Sequence, residues 1–132
     1  VYELLAKENK SLVYHKSLGQ KRYYSMLKHA ALMIGNSSSG LVEAQSFNLP
    51  VINIGDRQKG RLANPNVVNA AADEIEIEKA FLFAISEQFQ SGFYGKENIY
   101  GDGNACNRII SFLEKIEWQR LLSKKDCFNG IK

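Results

Sequence analysis

Residues 31–47 carry the pattern that most restricts what this chain can fold into. Ala31-Leu32-Met33-Ile34 is a short apolar run and reads as a buried strand. Gly35-Asn36-Ser37-Ser38-Ser39-Gly40 follows, two glycines bracketing a tight turn of small hydroxyl side chains. Leu41-Val42-Glu43-Ala44-Gln45-Ser46-Phe47 then reads as a short helix, ended by Asn48 and Pro50. A strand, a Gly/Ser turn and a helix in that order aim backbone N–H groups and the positive end of a helix dipole at an anion, above all a phosphate. Ser37, Ser38 and Ser39 add hydroxyl donors for the same oxyanion. An ordinary strand-to-helix connection with an N-cap serine has the same appearance, and the turn alone does not decide between the two.

The rest of the chain supplies a context for that turn. Residues 1–10 read as the tail of a helix and residues 11–15 as a strand, with Ser17-Leu18-Gly19 as a turn. Residues 20–30 follow as a helix with Tyr23, Tyr24 and Leu27 inward, and Ala31 as a further inward candidate. Residues 50–55 form a second apolar strand, with Pro50 tolerated at its first position. It opens into Asp56-Arg57-Gln58-Lys59-Gly60-Arg61, a polar loop with three cations. Residues 66–70 read as a short strand, and Asp73 begins a long helix reaching about Phe89, with Glu74, Glu76 and Glu78 favouring its start. Residues 91–103 form a Gly-, Asn- and Tyr-rich loop. Residues 104–118 form an amphipathic helix with Ile109, Ile110, Leu113 and Ile116 on its apolar side, and residues 121–132 a polar tail. Short strands alternating with helices imply βαβ units and a parallel sheet covered on both faces. Ligands of such sheets bind beyond the carboxyl ends of the strands. The Gly/Ser turn and the residue 56–61 loop both follow strands, so they share that edge.

Composition excludes several classes. With 132 residues, 45% hydrophobic and 23% charged, the chain has material for one core and no signature of disorder. A net charge of +3 from scattered Lys and Arg suits a phosphate-bearing small ligand and gives no stripe for nucleic acid. No apolar stretch reaches membrane-spanning length. Cys106 and Cys127 form neither a metal pattern nor a disulfide framework, so a reducing compartment and a cytoplasmic setting are expected. No metal and no cofactor is demanded by the residues. The absence of a starting Met and an opening inside a helix point to a fragment.

Individual residues then divide by chemistry. Glu43 follows the serines by about one helical turn, where its carboxylate can accept hydrogen bonds from a ribose diol; a solvated helix glutamate is the alternative. Arg57 is suited to a bidentate phosphate contact, against an ordinary surface ion pair, and Lys59 and Arg61 fit that second description better. Ser17, Leu18 and Gly19 offer backbone groups to a base edge or form a plain turn. His15 and His29 read as packing or surface residues and Cys106 as core. Tyr100-Gly101-Asp102-Gly103-Asn104 is either a loop returning to the site or the cap region of the last helix.

The segments 35–44, 50–61 and 100–105 together resemble the hydrolysing UDP-N-acetylglucosamine 2-epimerases of sialic-acid and related nonulosonic-acid synthesis, over most of residues 11–117. The stretch Asp56-Arg57-Gln58-Lys59-Gly60-Arg61 is the most specific part, being unusual in non-hydrolysing epimerases and in general glycosyltransferases. The resemblance implies a Rossmann-like, three-layer α/β/α portion of the C-terminal domain of a glycosyltransferase-B-type fold. Residues 1–120 would be that UDP-binding portion. It implies Ser37 and Ser38 on the diphosphate with Ser39 and Gly40 in the same turn, Glu43 on the ribose, Arg57 on a phosphate, and Ser17, Leu18 and Gly19 near the uracil. UDP or a UDP-N-acetylhexosamine would be the ligand, and the family's acid/base groups would lie largely in an N-terminal domain that this chain lacks. An epimerase for UDP-diacetylbacillosamine, a stand-alone nucleotide-binding module and a glycosyltransferase C-domain are the competing readings. Two central strands of the family's sheet would be missing between residues 11–15 and 31–35. Unpaired edges of that kind favour association, so a homodimer is expected.

Overall fold

The computed structural model describes residues 2–117. They fall into two units, Val1–Ile99 and Tyr100–Lys132.

In the first unit α1 (Tyr2–Glu8) buries none of its residues. Residues 11–15, expected as a strand, form no strand; Leu12, Val13 and Tyr14 are all exposed. This short apolar run meets no neighbouring strand among the described residues, and a strand without a ladder partner leaves its backbone groups to water. Helix α2 (Gly19–His29) follows, and its C-terminal residues Lys28 and His29 complement the dipole. Leu27 is its buried residue, Tyr23 and Tyr24 pack partly buried, and Ala31 beyond it is exposed.

Three strands, β1 (Met33–Gly35), β2 (Val51–Ile54) and β3 (Val67–Ala70), pair in parallel in the order β1-β2-β3. Met33, Val51 and Val67 are register partners on one face, and Ile34, Ile52 and Val68 on the other. Two cores result. On the first face Leu27, Ala44, Leu49 and Val51 are buried against Tyr23, Tyr24, Met33 and Phe47. On the second face Ile52, Ala70, Ala80 and Ala84 pack with Val68, Ile77 and Phe89. A parallel sheet between helical layers is therefore the architecture of this unit, an α/β, Rossmann-like arrangement. β2 is buried along most of its length because both faces are covered.

The helix expected over residues 41–47, which with the Gly/Ser turn before it forms the hub of the unit, differs from its expected form. α3 (Ser38–Val42) begins inside the serine run, with Ser37 as its N-cap accepting from the Ser39 N–H at 3.3 Å. A separate 3-10 turn, Ala44–Phe47, then closes on Asn48, which adopts a left-handed φ of 51°. Asn48 Oδ1 accepts from the Gly95 N–H at 2.8 Å, tying this end of the hub to a distant loop. Gly40 is required by closeness rather than by a turn. A Cβ placed there would meet Val51 Cγ1 at 2.8 Å, so α3 lies against β2 at a distance only glycine allows.

The expected long helix after Asp73 is two helices. Asp73 caps α4 (Glu74–Ala84) through the Ile75 and Glu76 N–H groups. The chain then breaks at Ile85 and Ser86, and Ser86 caps α5 (Glu87–Phe93) by accepting from the Phe89 N–H at 3.3 Å. α5 takes up the start of the segment expected as loop from residue 91, and Phe93 is fully buried.

The second unit holds α6 (Ala105–Lys115), none of whose residues is buried. Cys106, expected in the core, is exposed. Its N-terminal turn is organised by Asp102, which accepts from the Asn104 N–H at 3.0 Å and is held on both carboxylate oxygens by Arg108, at 3.0 and 2.7 Å. The helix, expected to reach Trp118, ends at Lys115, and Ile116, expected on its apolar side, is already extended; Trp118 and the tail expected at residues 121–132 lie outside the described residues.

Candidate nucleotide-binding site

The Gly/Ser turn lies at the carboxyl end of β1, and the residue 56–61 loop leaves the carboxyl end of β2, so the parallel pairing brings both to one edge of the sheet. They are joined there by Asn36. Gln58, buried, donates from Nε2 to the Asn36 carbonyl at 2.7 Å, and Arg57 Nη1 donates to Asn36 Oδ1 at 3.4 Å. The Arg57 guanidinium is thereby held beside the serine run while remaining exposed.

The serines divide into different tasks. Ser37 Oγ accepts from the Ser39 N–H at the helix cap and keeps its own proton for another acceptor. Ser39 Oγ donates to Glu43 Oε2, four residues on and therefore on the same helical face. A hydroxyl has one proton, so the contact between Ser39 Oγ and the Tyr23 hydroxyl is donated by Tyr23. Ser38 Oγ is exposed and without a partner among the described residues. With five residues, α3 has little macrodipole, so local N–H groups and Arg57 carry more of any attraction for an anion than the helix does.

Glu43 is half-buried and accepts on both oxygens: from Ser39 on Oε2 and from the Tyr24 hydroxyl on Oε1, at 3.0 Å. It lines a recess of about 520 Å³ whose other walls include Ser17, Leu18, Gly19, Tyr23 and Tyr24, with His15 beside them. Gly19 has a φ of +64°, a left-handed conformation that lets the chain turn into α2 at this wall. Ser17 Oγ accepts from the Gly19 N–H at 3.3 Å and stiffens the same corner.

A larger recess, about 680 Å³, lies behind the residue 56–61 loop and is lined by Asn53, Asp56, Gln58, Lys59, Arg61 and Asn69 among others. It contains neither Glu43 nor the serines. The smaller recess brings residues 17–19 and Glu43 together, and the turn and Arg57 sit at the adjoining sheet edge.

The hub itself is held by side-chain amides. Asn64 Nδ2 donates to the Leu41 carbonyl at 2.8 Å, and Asn98 Nδ2 donates to the Val42 carbonyl at 2.7 Å. Gln45 Nε2 reaches the Phe93 and Lys96 carbonyls at 3.2 and 2.9 Å, and Asn66 Nδ2 the Leu49 carbonyl at 2.6 Å. The Leu41 and Val42 carbonyls, which the five-residue α3 cannot satisfy internally, are satisfied by Asn64 and Asn98 instead.

Sequence reasoning missed Asn36 and Gln58 as the link between the two loops, and took Tyr23 and Tyr24 as core alone. The available signal was that adjacent tyrosines at inward helical positions bring hydroxyls that need partners when partly buried. Among the described residues no group of three His, Cys, Asp or Glu side chains is placed to hold a metal ion, and no helix is long and apolar enough to cross a membrane.

Comparison with known proteins settles the ancestry of this arrangement. The profile of the UDP-N-acetylglucosamine 2-epimerase family matches residues 1–114. The chain belongs to that family. It is 38% identical over 109 residues to a GDP/UDP-N,N'-diacetylbacillosamine 2-epimerase (hydrolyzing) of Campylobacter jejuni, a match covering 82% of this chain and 28% of that protein. It is 35% identical over 101 residues to a UDP-N,N'-diacetylbacillosamine 2-epimerase (hydrolyzing) of Legionella pneumophila, covering 76% and 26%. It is 31% identical over 113 residues to a polysialic acid biosynthesis protein of Escherichia coli, covering 86% and 29%. The chain thus spans somewhat over a quarter of the length of these relatives.

Proposed function

We propose that this chain is the UDP-binding portion of a hydrolysing UDP-sugar 2-epimerase, inactive without the portion of the protein that carries the acid/base groups. The observation that carries the reading is the recess uniting Glu43 with residues 17–19, beside a Gly/Ser turn to which Arg57 is tied through Asn36. In this reading Ser37, Ser38 and the turn up to Gly40 hold the diphosphate and Arg57 a phosphate oxygen. Glu43 accepts from the ribose hydroxyls with Ser39 as its support, and Ser17, Leu18 and Gly19 face the uracil. The family reaction eliminates UDP across C1–C2 of UDP-N-acetylglucosamine to leave a glycal, and water then adds with inversion at C2 to give N-acetylmannosamine. This chain would hold the leaving UDP, stabilising the charge that grows on its diphosphate as the C1–O bond breaks.

A second reading, an epimerase for UDP-diacetylbacillosamine, is supported by the relatives of that name at 38% and 35% identity, against 27% for the UDP-N-acetylglucosamine 2-epimerase of Neisseria meningitidis. The two differ in the sugar, and because the Campylobacter jejuni relative is named for GDP as well as UDP, the second reading admits guanine beside uracil as the base held here. Both imply a cytoplasmic setting, where nucleotide sugars are made. The open side of β1, which pairs among the described residues with β2 alone, supports completion of the sheet by another strand, from a second copy or from the remaining portion.

Calorimetric titration with UDP tests the nucleotide site. Glu43→Ala and Arg57→Ala should each lose about 1–3 kcal/mol of binding, the scale of hydrogen bonds to charged groups. A folded wild-type chain that binds no UDP, or variants that bind it equally well, would remove the site from this edge of the sheet.

A further inference from the structure

Glu43 accepts from protein hydroxyls on both of its carboxylate oxygens. Tyr23 donates to Ser39 Oγ, and Ser39 donates in turn to Glu43 Oε2. Tyr24 donates to Glu43 Oε1 at 3.0 Å, and Gln20 Nε2 reaches the Tyr24 hydroxyl at 3.5 Å, the outer limit of a hydrogen bond. Both relays start on α2, a helix that also forms a wall of the recess. A carboxylate offers about four acceptor positions, two on each oxygen. One on each oxygen is already filled, which leaves one on each, the number that the two hydroxyls of a vicinal diol fill.

From this count and geometry we infer that Tyr23 and Tyr24 are positioning residues: they hold the Glu43 carboxylate in the rotation that accepts a ribose 2′,3′-diol, and so set the preference of the recess for ribonucleotides. The inference rests on the proposed role of Glu43 at the ribose. The rings anchor the device, since Tyr24 packs on Phe47 with centroids 5.8 Å apart and both tyrosines border the core around Leu27 and Ala44. The hydroxyls then sit at fixed points, and a chain of hydroxyls ending on an anion gives short, strong hydrogen bonds. Without them the carboxylate turns freely about its last bond and loses that alignment.

The test compares UDP with 2′,3′-dideoxy-UDP on the whole 132-residue chain, in the wild type, Tyr23→Phe, Tyr24→Phe and Glu43→Gln. The Phe variants keep the rings and their packing, and matching urea unfolding midpoints show that the fold is kept. Wild type should prefer UDP by roughly tenfold or more, the scale of two hydrogen bonds to a charged acceptor, and Glu43→Gln should lose most of that preference. Each Phe variant should cut the preference at least threefold while dideoxy-UDP binds as before. Full preference in both Phe variants overturns the positioning role and leaves the ribose reading standing. Equal weakening of both nucleotides also overturns it, since that is what a merely structural tyrosine does. A wild type without preference, or without UDP binding, overturns the ribose reading and the positioning role together.

Discussion

Gly40→Ala is the sharpest probe of how the Gly/Ser turn is built. The added methyl would start 2.8 Å from Val51 Cγ1, at least ~0.7 Å inside the ordinary carbon–carbon separation of roughly 3.5–4.0 Å. Val51 is β-branched and 2% exposed, so its methyl has no free rotamer to move into. Overpacking of this kind costs about 1–3 kcal/mol. Against it stands the helical preference for alanine over glycine, about 1 kcal/mol, and Gly40 has no left-handed φ that would add strain. The balance is a loss of up to about 2 kcal/mol. In urea unfolding followed by far-ultraviolet circular dichroism, that lowers the midpoint by up to roughly 1 M for a slope typical of a small domain. The cycle with Val51→Ala isolates the cause: removing Cγ1 makes room, so the double variant should be more stable than the sum of the single effects by about 1 kcal/mol or more. Strict additivity in the cycle would refute the argument that close approach of α3 to β2 demands glycine.

Other consequences are open to simpler tests. Asp73→Ala removes the acceptor for the Ile75 and Glu76 N–H groups at the start of α4 and should cost about 1 kcal/mol in the same unfolding assay; an unchanged midpoint would mean that the cap adds nothing to the packing of Ala80 and Ala84. Asp102 has its carboxyl held below the ordinary 3.8, first by the Asn104 N–H, then by the Asn104 side chain, and also by the Arg108 charge. Its folded value is depressed, so its contribution is complete above the unfolded value and disappears as pH falls through the folded one. An NMR titration of the Asp102 carboxyl should therefore give a midpoint below 3.8 in the wild type that moves up in Arg108→Ala; a midpoint at or above 3.8 in the wild type contradicts the geometry.

What could be read from sequence followed how local each signal was. The strand, turn and helix around residues 33–42 were legible because apolar run, glycine and cap residue lie next to one another. Asp73 was legible as a helix start for the same reason. The break at Ile85 and Ser86 was hidden by apolar side chains that continue through it, although Ser86 is itself a cap residue. Residues 11–15 misled because a short apolar run forms a strand only when a neighbour exists to pair with it. At the site, Glu43 and Arg57 stood out by charge. The partners that orient them did not: Gln58 reaches Asn36 across 22 residues, and Tyr24 reaches Glu43 across 19, distances at which spacing carries no signal.

The amide clamps on the hub bear on the order in which the site forms during synthesis. Asn64 lies 23 residues beyond the Leu41 carbonyl it satisfies, and Asn98 lies 56 beyond that of Val42. A nascent chain that has emerged only through β2 already contains every serine of the turn, Glu43 and Arg57 shortly after, yet has none of these donors. Long-range contacts of this kind form late, because loop closure must precede them. The turn is thus among the earliest parts of the site to be translated and among the last to be held in place.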